Sequence, residues 1–169
     1  MEDRLFVLAE VAVGLAGFSS VVVAFRRRGS DGSWKPEDAF RFRLMLESGL
    51  FAGFFALLPS SIAGLGVSDA RLWPALSLVL FLYLAADLTH SWIRTRGLPP
   101  AALHRVFVSL TVAGSFMAMV VQVLNIADWL VARGPGPYVF GVTWLTTYSG
   151  LTFYRLATAP VTVSEGSDS

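Results

Sequence analysis

The chain has 169 residues, of which 54% are hydrophobic and 15% charged, with a mean hydropathy of +0.61. A soluble domain carries about a quarter charged residues, so a soluble fold of this composition would expose large, aggregating apolar patches; the same hydrophobic content excludes a disordered chain. Thirteen basic and twelve acidic side chains leave a net charge of +1, which excludes a strong field for nucleic acid, and the absence of cysteine excludes disulfides, thiolate metal sites and cysteine nucleophiles.

A helix crosses roughly 30 Å of hydrocarbon with about 20 apolar residues. Five stretches qualify: residues 5–25, 44–66, 72–92, 106–127 and 138–157. Barrel strands alternate in segments of about ten residues, whereas these runs are continuous and about twice as long. The fold class predicted is therefore all-α, a polytopic membrane bundle of five transmembrane helices in one domain over residues 1–159. The small, polar tail, 160–169, is expected to be a disordered cytoplasmic segment.

The first span follows Glu2, Asp3 and Arg4 and stops at Arg26, Arg27 and Arg28. That charge order is the reverse of a cleavable signal peptide, so the segment is expected to be retained. Glu10 lies five residues past Leu5, about 7 to 8 Å into the span at 1.5 Å per residue. Ala12, Ala16, Ser20 and Ala24 recur every four residues and form a small-residue stripe suited to close helix contact, within one copy or between copies. After the Gly29–Gly32 break, Pro36 followed by Glu37 and Asp38 marks a helix start ahead of the second span. Glu37 with Arg41, and Arg43 with Glu47, are four-residue ion pairs. The second span contains Pro59 and the GxxxG spacing of Gly49 and Gly53.

The link at residues 67–71 is short enough to make the second and third helices antiparallel neighbours. On the third, Tyr83, Asp87, His90 and Arg94 share a face, and a carboxylate beside an imidazole suits either proton exchange or a structural ion pair. On the fourth, Thr111, Ser115, Ala118, Gln122 and Asn125 form a second polar stripe at about the depth of Glu10. Two side-chain amides there could donate to the Glu10 carboxylate around a hydrated vestibule, or could simply tie helices together. Gly134-Pro135-Gly136-Pro137 reads as a turn. The fifth run, with Thr143, Thr146, Thr147 and Ser149, is the least apolar, and the alternative topology has four spans with this segment re-entrant or interfacial.

With the N-terminus outside, the inner side holds Arg26, Arg27, Arg28, Lys35, Arg41, Arg43, Arg94, Arg96, Arg105 and Arg155, which is ten, and the outer side Arg4, Arg71 and Arg133, which is three; together they make the thirteen basic residues. The positive-inside rule therefore predicts N-terminus out and C-terminus in. Trp34, Trp92 and Tyr154 then fall near the inner face, and Trp73, Trp129 and Tyr138 near the outer one.

No HExxH, GxSxG, P-loop or GxGxxG occurs, and His90 and His104 are the only histidines, so neither an enzyme nor a metal or cofactor site is expected. An ionisable residue inside a span marks a functional site by default. Glu10, Tyr83, Asp87, His90, Gln122 and Asn125 are the candidate pore or proton-pathway residues, entering from both ends around an apolar middle. Ala12, Ala16, Ser20, Ala24, Gly49 and Gly53 are the candidate packing residues. The function expected is a small oligomeric ion channel or ion/proton-translocating protein of the inner (plasma) membrane. Its partners would be the lipid bilayer, further copies of itself and a small ion or proton, with no nucleic acid. The alternative is a non-catalytic scaffold, sensor or accessory subunit acting through helix contacts.

Overall fold

In a computed structural model the chain is all-helical: α1 (Glu2–Gly29), α2 (Pro36–Ala63), α3 (Asp69–Thr95), α4 (Ala102–Ala127) and α5 (Pro135–Thr158). The structure describes residues 2–29, 36–95, 102–130 and 133–158, and only the backbone at 2, 19–20, 22–29, 36–41, 94–95, 102–105 and 156. The side chains of Ser20, Ala24, Glu37, Arg41, Arg94 and His104, and the whole of the 160–169 tail, lie outside the described residues. Among the described residues three helices contain stretches long and apolar enough to cross a membrane, Phe42–Ala63, Asp69–Ile93 and Val106–Ala127; α1 and α5 are not among them. Hydrocarbon offers no partner for backbone polar groups, and the continuous helical ladder satisfies them within each segment.

α2 begins at Pro36, where proline and two acids suit the first turn. It ends at Ala63, short of the apolar run, because Gly66 takes the left-handed conformation (φ +76°) that closes the helix. Its amide donates to Ala63 at 3.1 Å. α4 closes similarly around Asp128 (φ +56°), with the Trp129 amide donating back to Leu124 at 3.3 Å. The Asp128 carboxylate accepts from the Arg133 amide at 3.2 Å, and the Arg133 guanidinium donates to the Ile126 carbonyl at 3.3 Å.

α5 stands in the centre. It touches all four other helices; α1 packs on α2, α3 packs on α4, and α2 meets α3 more sparsely. Among the described residues α1 and α4 do not touch, so the ring around α5 is open between them. Tyr138, Val142, Leu145 and Ser149 of α5 are buried to within 1% of full enclosure, against Leu80 and Leu84 of α3 and Phe55 and Ala56 of α2. The opposite face of α5, with Phe140, Thr143, Thr147 and Tyr154, is exposed. A helix that falls short of a span in apolarity is thus the one with the most helix neighbours. α4, the most apolar, turns much of its surface outward, including Val106, Leu110, Phe116 and Met117.

The small-residue stripe makes the α1–α2 contact inside one copy. Ala12 and Ala16 are buried, and a Cβ placed on Gly49 would lie 3.4 Å from the Ala12 carbonyl oxygen, 3.7 Å from the Ala16 Cβ and 3.1 Å from the Ser149 hydroxyl. Gly49 is therefore where α1, α2 and α5 meet most closely. A Cβ on Gly53 would touch Val13 at 3.6 Å, whereas Gly14 and Gly17 have open space beside them.

Pro59, inside α2, removes the amide that would donate to the Phe55 carbonyl four residues earlier. The Tyr138 hydroxyl of α5 donates to that carbonyl at 2.6 Å, replacing the missing helical donor with an interhelical one.

Candidate functional site

Two polar clusters occupy opposite ends of the bundle. At the end that carries the α4–α5 link, the buried Asn125 donates to the Ser77 hydroxyl at 2.8 Å and to the Gly134 carbonyl at 3.2 Å, and its oxygen accepts from the Gly134 amide at 3.0 Å. One side chain thereby joins α3, α4 and the turn into α5. One turn deeper, Gln122 donates to the Pro137 carbonyl in the first turn of α5 at 2.7 Å. A Cβ on Gly141 would lie 2.7 Å from both the Gln122 amide nitrogen and Leu80, so glycine there lets the amide reach the α5 backbone. The Gln122 oxygen is buried without a partner.

These bonds differ from the expected arrangement. Both amides are fully enclosed and donate to α3 and to the α5 turn, so they hold helices together and do not face open space. Glu10 is exposed on the outward face of α1, which does not contact α4, and the amides do not reach it. The expectation that Glu10 and the amides share one vestibule fails on helix placement: equal depth in the sequence does not bring α1 and α4 together. Ser115 of the same stripe accepts from the Trp144 indole at 3.1 Å, another α4–α5 tie. Thr111, Thr143, Thr146 and Thr147 bond to carbonyls of their own helices. Ser149 donates across to the Met45 carbonyl of α2 at 3.1 Å.

At the opposite end Tyr83 lies against α2, its ring 4.5 Å from Phe51 and 5.3 Å from Phe55. In an antiparallel pair this contact sets the register. One turn further toward this end Asp87 follows Tyr83 and Glu47 precedes Phe51, which brings the two carboxyl groups to one level. Asp87 is half-buried and interacts electrostatically with Glu47 and with His90 of its own helix. Tyr148 of α5 joins from the third side: it interacts with Asp87 and Tyr83 and shares a hydrogen bond with Ser91. Glu47 also carries the expected four-residue pair with Arg43. Among the described residues no cation lies within ion-pair distance of Asp87. His90 is exposed at the rim. Nearby, the Arg155 guanidinium sits 4.3 Å over the Phe107 ring and ties the ends of α5 and α4.

The structure thus brings Tyr83, Asp87 and Glu47 together and adds Tyr148 and Ser91, which the sequence reading did not include. Their signal was present in part: Ser91 follows Asp87 by four residues on the same face, while Tyr148 needs the central position of α5. Between the two clusters the interior is filled by Leu80, Leu84, Val142 and Leu145. No group of three or more metal-binding side chains occurs among the described residues. The chain matches no family model, no curated protein and no solved structure.

Proposed function

We propose that the chain is a five-span protein of the plasma membrane, N-terminus out and C-terminus in, that translocates a proton or small cation as a homo-oligomer. The observation that supports this reading is Asp87: a half-buried carboxylate on an apolar helix, in no ion pair among the described residues, that interacts with Glu47, His90, Tyr83 and Tyr148. An ionisable residue inside a span is a functional-site hypothesis by default. Paired carboxyl and phenol oxygens offer ligands to a proton or a bare cation and nothing to a larger apolar solute. The leucine- and valine-filled middle favours a very small species, because one copy has no wide passage to offer.

The test is ion and proton flux into liposomes carrying the purified protein. Asp87→Asn should abolish flux while the protein keeps its helical content and its elution volume. Flux unchanged by Asp87→Asn would overturn the assignment. The outward α1 face, where exposed Glu10 stands with Gly14 and Gly17, favours a second reading, a scaffold that binds through α1. On that reading no flux occurs under any voltage or pH, and Glu10→Gln changes what the protein assembles with.

A further inference from the structure

The five-span reading leaves unexplained how α5 enters the bilayer. It is the helix with six Ser or Thr side chains (Thr143, Thr146, Thr147, Ser149, Thr152 and Thr158), and although long enough it falls short of the apolarity that marks the Phe42–Ala63, Asp69–Ile93 and Val106–Ala127 stretches as spans. Its threonines bond to carbonyls of their own helix, and the remaining polar groups are matched by earlier helices. Asn125 and Gln122 of α4 hold its first turn through Gly134 and Pro137, Ser115 accepts from Trp144, Phe55 of α2 accepts from Tyr138, and Met45 accepts from Ser149. The ring of helices around it is open on one side, between α1 and α4, so a slot lined with these partners exists for a helix arriving last.

We propose that α5 is a conditional span: it crosses the bilayer only by entering, through the opening between α1 and α4, a slot whose polar walls the four preceding helices have already assembled. A segment too polar to partition alone is stabilised in hydrocarbon when its polar groups find protein partners. The side of the membrane on which the C-terminus lies then depends on residues of α4, more than forty positions away from it.

The cysteine-free sequence makes this directly testable in full-length protein in intact cells, with a membrane-impermeant maleimide. Single cysteines replace Ser30 in the α1–α2 link, Val67 in the α2–α3 link and Ser167 in the tail. In the parent, Val67→Cys should label from outside, and Ser30→Cys and Ser167→Cys should stay protected. Adding Gln122→Leu and Asn125→Leu removes the grip on the first turn of α5 while making α4 itself more apolar, so loss of α4 cannot explain the result. Position 167 should then label to the level of position 67, with position 30 still protected. Two further changes on the exposed face of α5, Thr143→Leu and Thr147→Leu, raise its apolarity without touching any partner and should restore protection of position 167. Continued protection in the Gln122/Asn125 variant would overturn the proposal, and so would failure of the leucine pair to restore it. Labelling of Ser30→Cys in the parent would instead overturn the orientation, and a change of side at position 167 would still report on α5.

Discussion

The hydroxyl of Tyr138 is bound to a carbonyl that exists as a free acceptor only because of a proline in another helix. Tyr138→Phe keeps the ring, its full enclosure and its contact with Trp73 at 6.1 Å, and removes one oxygen. An interhelical hydrogen bond in a membrane bundle is worth about 0.6 kcal/mol on average and about 1.7 at most. Here the loss also leaves the Phe55 carbonyl without the Pro59 amide that a regular helix would supply, and a buried unsatisfied acceptor costs roughly 1–3 kcal/mol. The expected destabilisation is therefore about 1–2 kcal/mol, measured by reversible unfolding in mixed micelles and followed by helical circular dichroism. The decisive variant is Pro59→Ala, which returns an amide donor to Phe55. In that background Tyr138→Phe should cost less than half as much, giving a coupling energy of about 1 kcal/mol across the double-mutant cycle. Equal costs in the two backgrounds would refute the idea that tyrosine replaces the missing helical donor.

Two other outcomes follow from backbone and packing geometry. A Cβ on Gly114 would overlap the Trp144 ring, so Gly114→Ala should push the indole away, break its bond to Ser115 and cost about 1–3 kcal/mol as an overpacked contact, with a red shift of tryptophan emission as the readout. Leu130 is 80% exposed at φ +63°, a conformation that costs a branched residue roughly 1 kcal/mol. Leu130→Gly should therefore raise unfolding stability by about that amount in the same micelle assay.

The helices themselves are largely legible in the sequence, because the apolar run, the proline with acids at 36–38 and the glycines after Ala63 each act locally. The arrangement of the helices is not. Hydropathy ranks α5 as the weakest span and so suggests a peripheral or re-entrant segment, yet its threonines and tyrosines are what a helix needs when it faces other helices on most sides. Depth read along the chain puts Glu10 level with Gln122 and Asn125, but depth carries no information about which helices are neighbours, and α1 and α4 are not. The Asp87 cluster was half legible: Tyr83 and Asp87 share a helix face, whereas Glu47 and Tyr148 reach them only through the α2–α3 register and the central place of α5.

The bonds that lock the core also join the most distant parts of the chain. Tyr138 and Phe55 are 83 residues apart, and Ser149 and Met45 are 104 apart. Such contacts span most of the chain, whereas helical bundles ordinarily fold fast on local contacts. Individual helices form in microseconds or less, so the step expected to limit refolding is the search that brings the last helix to partners made near the beginning of synthesis, and a refolding rate slowed by neither Tyr138→Phe nor Ser149→Ala would refute it.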